Sequence, residues 1–207
     1  RIFGKLDLFV VSSSRRSDVL EYLASKYGDD VSVFEIDSPM NRNSVEGFFV
    51  TRDAKSCISS NGSVFKGYSI DHEKREISFS LSPEKAANPY LEGCFFRADV
   101  SSKKFMRVSA ANTTIAIKND VFGQLPILYF SKPRMFACSD SLLALTDMRK
   151  SIGFENNLNE NVFIAKSGRN GFCDQLLSSK TAISGIKYAL PGSTIHLEAD
   201  GPNISTR

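Results

Sequence analysis

The sequence predicts an antiparallel α+β fold in which two β-sheets pack face to face and helices lie outside them. Three observations carry this expectation. Short stretches of alternating apolar and polar residues recur along most of the chain, separated by clusters of Gly, Pro, Asn, Asp and Ser, the signature of strands joined by turns. Helical periodicity, by contrast, occurs only near residues 17–27, 140–149 and 160–167. Between the strand-rich middle and the later helices lies Asn119-Asp120-Val121-Phe122-Gly123-Gln124-Leu125-Pro126, which joins two apolar runs. Gly123 can take φ > 0, Asp120 can accept from nearby backbone N–H groups, and Pro126 excludes a helix. A tight turn over 120–126 between two adjacent strands, 114–118 and 127–130, is therefore expected.

Taken in order, residues 2–11 read as an opening strand with Leu6, Leu8 and Val10 on one face, and 12–16 as a loop. Ser17 then caps a helix over 17–27 whose apolar residues Val19, Leu20, Leu23, Ala24 and Tyr27 share a face. Asp18 sits favourably in its first turn, and Gly28 stops it. A strand follows at 31–36. Residues 37–43 are turn-rich, and 47–51, 63–70 and 76–81 read as three more strands. After a break between Pro83 and Pro89, the segments 93–100 and 104–109 pair as a hairpin across Ser101-Ser102-Lys103.

Beyond the central stretch, Met135 opens a short strand ending at Ser139, which caps a helix over 140–150. A turn surrounds Gly153, and a further helix over 160–166 is capped by Asn159 and closed by Gly168. Residues 171–179 fit neither pattern. Residues 185–192 read as a strand entering a turn at Pro191-Gly192, and 193–198 as a strand that runs out at Ala199-Asp200-Gly201. There is no internal repeat and no low-complexity tract.

Length and composition narrow the function. A chain of 207 residues with 42% hydrophobic content suits one domain, which at this size buries roughly 70% of its unfolded surface. The net charge of +3 is small, and the basic pairs Arg15-Arg16, Lys103-Lys104 and Arg149-Lys150 are scattered. Each reads as solvated surface, and a nucleic-acid face is not expected. Cys57, Cys94, Cys138 and Cys173 stand singly with no C-x-x-C spacing. They read as buried free thiols of a reducing cytoplasm, not as metal ligands or disulfides. No apolar run approaches a membrane span and no secretory signal is visible, so a soluble, cytoplasmic protein without membrane or nucleic-acid partners is expected.

Four stretches carry a family resemblance: "DVFGQLPILYF", "FACSDSLLAL", "NENVFIAKSG" and "TAISGIKYALPGSTIHL". In this order they resemble the second half of the glutaminase-type domain of class B asparagine synthetases, with its D-x-F-G-x-x-P-L-Y turn, F-A-S-E/D helix start and G-I-x-x-L-P-P-G segment. The resemblance covers about half of the chain. It implies the αββα sandwich of the N-terminal nucleophile (Ntn) hydrolases over residues 1–207.

The resemblance also says where chemistry should lie. Family members hydrolyse glutamine with an N-terminal Cys in C-G-I-x-G, whose free α-amine, with a pKa near 8, serves as base. Aligning Ile2-Phe3-Gly4 with I-x-G puts Arg1 on the first Gly, with no visible Cys before it. The chain also lacks an initiator Met, which fits a processed or truncated start. The family's oxyanion pair is an Asn-Gly in a strand. Its best match here is Lys66-Gly67, which keeps the Gly and substitutes Lys for Asn, while Asn61-Gly62 just upstream reads as a β-turn. The R-G-P-D and H-R-R-L segments have no counterpart, with Arg42 and Arg52 the nearest candidates. Arg1, Lys66 and Gly67 are thus vestigial-site residues, and no catalytic, cofactor or metal residue is expected.

Other nucleophile and base candidates read as structural. His72 lies in a charged turn and His196 alternates in a strand, neither beside a recognisable Ser or Cys partner. Cys94 falls where the family has a core apolar residue. No phosphate loop is present, Gly168-Arg169-Asn170-Gly171 being too short and lacking the Lys.

The expected function is that of a degenerate, non-hydrolytic glutamine-amidotransferase-like domain of an ATP-dependent, amide-forming ligase. β-Lactam synthetase and lasso-peptide cyclases are similar in lacking the nucleophile in their N-terminal domains. ATP and magnesium would then belong to a partner, either a C-terminal synthetase domain or a separate synthetase subunit. A homodimer is a further option. Two other readings stay open: an active glutamine amidohydrolase whose Cys precedes Arg1, and a free-standing interaction protein on the same fold.

Overall fold

The computed structural model describes residues 8–12, 16–28, 31–36, 45–50, 63–71, 74–79, 92–103, 112–119, 126–132, 135–167, 179–198 and 201–206. The strands are β1 (Leu8–Ser12), β2 (Val31–Ile36), β3 (Val45–Val50), β4 (Val64–Asp71), β5 (Glu76–Phe79) and β6 (Glu92–Lys103). They continue as β7 (Asn112–Asn119), β8 (Leu128–Lys132), β9 (Met135–Ser139), β10 (Lys187–Tyr188), β11 (Ser193–Glu198) and β12 (Gly201–Thr206). Among the described residues three helices accompany them: α1 (Arg16–Tyr27), α2 (Leu142–Ser151) and α3 (Glu160–Ser167).

Among the described residues all strand pairs are antiparallel, in two six-stranded sheets. The first has the order β10-β8-β9-β1-β3-β2 and the second β12-β11-β7-β6-β4-β5. The chain is therefore α+β with two antiparallel sheets. The expected strands at 31–36, 47–51, 63–70, 76–81, 93–100 and 193–198 all fall on observed ones with small shifts of boundary.

Burial shows how the first sheet is covered. Leu128 and Phe130 of β8 and Met135 and Ala137 of β9 pack with Val19, Tyr22 and Leu23 of α1 and with Leu145 and Met148 of α2. Alternation along a strand sends the intervening residues to the other face. Those residues, Tyr129, Phe136 and Cys138, are equally buried, and the Tyr129 and Phe136 rings stack at 5.9 Å. Helices thus cover one face, and β12 of the second sheet lies near β8. In the second sheet Phe65, Ile117 and Ile195 are fully buried.

Helix α2 is fixed at both ends by its own backbone chemistry. Ser141 is the N-cap, its Oγ accepting from the Ala144 N–H at 3.3 Å, which satisfies one of the orphan donors of the first turn. At the other end Gly153 takes φ +80°. Its N–H donates to the Lys150 carbonyl and that of Phe154 to the Arg149 carbonyl, the paired bonds of a Schellman motif that requires a left-handed residue. Asn159 caps α3 as expected, accepting from Val162 N–H.

Five expectations are corrected. The stretch around 120–126 does not join adjacent strands: β7 lies in the second sheet and β8 in the first, so the chain crosses between sheets there. Both edges of β7 are already filled by β6 and β11, leaving β8 no place beside it. Residues 120–125 themselves lie outside the described ones.

Ser101-Ser102-Lys103 is not a turn but the end of β6, paired with Thr114, Thr113 and Asn112. Small polar residues read as a turn locally, yet β-branched Thr113 and Thr114 opposite them sustain the ladder. The cap of α2 is Ser141, because Ser139 still belongs to β9 and uses its Oγ to accept from Ser141 N–H at 3.0 Å. In α1, Ser17 lies within the first turn, bonded to Asp18, and the buried face is Val19, Tyr22 and Leu23, with Leu20 and Ala24 exposed. Finally, Gly201 does not end the strand region. It starts β12, with Glu198 paired to Gly201, and Pro202 is tolerated because β12 is a sheet edge.

Lys26 of α1 bridges to Asp147 of α2. Burial alone would lower the Lys26 ammonium, but the hydrogen bond to Asp147, helped by Tyr22 and Tyr27, holds it above its ordinary value. With 37% and 42% of the two side chains exposed, solvent screens most of that attraction. A double-mutant cycle with Lys26→Met and Asp147→Asn should give a coupling of about 0.2–1 kcal/mol that shrinks in high salt; a coupling above about 2 kcal/mol would contradict a surface role. Leu145→Ala, which empties a fully buried site, should cost about 3 kcal/mol in urea denaturation. Leu143→Ala, at a position 70% exposed, should change stability by less than about 0.5 kcal/mol.

Candidate functional site

The residues expected at a vestigial site fall in the second sheet where the structure describes them. Lys66 and Gly67 lie in β4, between β5 and β6. Lys66 pairs with Phe96 and Gly67 with Cys94, so Phe95 is an extra residue on β6 and the register shifts at Lys66-Gly67. This is a β-bulge, which increases local twist, and a Gly within a strand commonly marks one. By register, position 66 shares its sheet face with the buried Ile117 and Ile195. Arg1, Arg42, Arg52, Asn61, Gly62 and His72 lie outside the described residues. The structure therefore brings Lys66 opposite Phe96 and Gly67 opposite Cys94, and the other residues of the expected set lie outside the described ones. His196 stands in β11 between Ala116 and Asn203, half-buried.

Among the described residues the most fully built polar cluster lies elsewhere, at the end of α2. Arg149 is 6% exposed. Its Nη1 donates to the Ser184 carbonyl at 2.9 Å and its Nη2 to the Glu155 carbonyl at 2.8 Å. The guanidinium lies 5.5 Å from the centroid of the Phe130 ring, which packs edge-on against Phe154. Burial holds Arg149 below its ordinary pKa. Two carbonyl dipoles and an aromatic face stand in for a carboxylate partner, the planar fork matching two acceptors at once.

Around this cation the segment 179–189 is tied down by short backbone bonds. Asn159 N–H donates to Ala182 O and Ser184 N–H to Asn157 O, both at 2.8 Å. The buried Thr181 hydroxyl bonds within the segment, to the carbonyls of Ile183 and Ile186. Tyr188 N–H reaches Ser179 O and Ala189 N–H reaches Ile127 O. Gly185 has φ +83°, and a Cβ there would stand 3.4 Å from Arg149 Nη1, so both conformation and space favour glycine. Pro191-Gly192 forms a type II turn, with Gly192 at φ +69° and Ser193 N–H bonded to Leu190 O at 3.0 Å.

The reading of Arg149-Lys150 as a solvated pair is half corrected: Lys150 is exposed and Arg149 is buried. The signal was in the sequence. Leu145, Met148, Arg149 and Ile152 follow the i, i+3, i+4, i+7 spacing of one helix face.

Cys138 sits fully buried in β9, a free thiol. Burial pushes it well above the usual thiol range, and the Asp140 charge adds to this. A neutral buried thiol is a packing group, not a nucleophile. Burial likewise raises Tyr129. Among the described residues no group of three His, Cys, Asp or Glu is arranged to hold a metal, and no helix is long and apolar enough to cross a membrane. No protein-family model matches the chain, and no curated protein matches it.

Three predictions arise here. Arg149→Lys should destabilise the fold on the order of 2 kcal/mol, because one ammonium cannot serve both carbonyls along with the ring. Gly185→Ala should cost about 1–2 kcal/mol from the left-handed backbone alone; chemical denaturation of both variants checks this, and a neutral Arg149→Lys would refute the clamp. The Cys138 thiol, raised in the folded state, contributes stability that is intact below its unfolded pKa of about 8.5 and lost as pH rises beyond it. Stability measured against pH should therefore decline above about 8.5, and Cys138→Ala should flatten that decline.

Proposed function

We propose that the chain is a non-hydrolytic, glutaminase-like domain of an asparagine-synthetase-like amide ligase, and that its role is to pack against the domain or subunit that activates a carboxylate with ATP and magnesium. One observation supports this most. The described parts of three family-like stretches, separated in sequence, lie together in space: "ILYF" enters β8, "FACS" lies in β9, "SLLAL" opens α2, and "IKYALPG" supplies β10 and the type II turn. Strands β10, β8 and β9 are neighbours in one sheet with α2 packed on them, and Asn159, the first residue of "NENVFIAKSG", donates its N–H to Ala182 O in the segment that Arg149 clamps. The two antiparallel sheets suit the finer expectation of an αββα sandwich.

The loss of hydrolysis rests on Lys66, which stands where the resembling enzymes place an oxyanion-stabilising Asn. An ammonium on a flexible stem does not reproduce a fixed amide donor aimed at a developing oxyanion. The packing role is supported by exposed apolar residues near α3: Leu158, Phe163 and Ile164 are 50%, 51% and 66% exposed. Interdomain contacts of this kind typically bury on the order of 600–1,500 Å².

Incubated with glutamine or a γ-glutamyl analogue, the protein should release ammonia no faster than buffer. Turnover above background that a thiol reagent abolishes would replace this reading with an active amidohydrolase. Co-purification with a synthetase domain bearing an S-G-G-x-D loop and encoded with it should weaken when Phe163 and Ile164 are changed to Ser. Failure to bind any such domain would leave the fold as a free-standing interaction module.

A further inference from the structure

We draw no further inference here: the strongest candidate, the apolar surface patch of Leu158, Phe163 and Ile164 at α3, belongs to the surface already invoked for the interdomain role, and nothing in the structure shows what covers it.

Discussion

Strands β8 and β9 are buried on both faces, and this requirement for double cover organises the first sheet. A strand with apolar residues on both sides cannot lie at a solvated surface without exposing one set. Helices α1 and α2 meet the need on one side through Leu23, Leu145 and Met148. On the other side Tyr129, Phe136 and Cys138 are buried as well. The details at the end of α2 follow from the same demand. Once α2 is drawn onto the sheet, Arg149 comes with it into the interior, and its charge has to be satisfied there by the Ser184 and Glu155 carbonyls.

Much of the fold was legible because it is written in local patterns. Alternation at 31–36 and 193–198, the Asn159 cap and the Pro191-Gly192 turn are short-range signals, and the structure keeps each of them. Sheet membership is not local. Nothing within Asp120 to Pro126 signals that both edges of β7 are occupied, so the local turn signal suits two adjacent strands whereas the chain in fact changes sheets. The same blindness affected Ser101-Ser102-Lys103, whose strand character depends on residues 112–114 lying opposite. Competition between similar residues accounts for the α2 cap, since either Ser139 or Ser141 could serve and only the end of β9 decides.

The candidate site was less legible than the fold. Lys66-Gly67 was recognised only by resemblance, and the bulge opposite it arises from an extra residue in another strand, Phe95. The residue type of Arg149 points to solvent and its helical position points to the core, and position wins. Arginine is rarely buried, but the spacing from Leu145 placed it on the inner face. A polar cluster built mainly from backbone carbonyls leaves little trace in side-chain composition beyond the helical spacing of Arg149 and the presence of Gly185.

The partnership of β1 with β9 has a consequence for how the molecule assembles. Phe9 pairs with Cys138, so this ladder closes across well over half of the chain, and the entropy of that closure is spent before its contacts form. The β8–β9 hairpin and α2, by contrast, are contiguous in sequence and can form early. Topologies dominated by such distant pairings fold slowly. Until β1 arrives, the hairpin presents the long side of β9 as an open edge flanked by Met135, Phe136 and Cys138. That edge is where a nascent or partly unfolded chain would recruit a second copy.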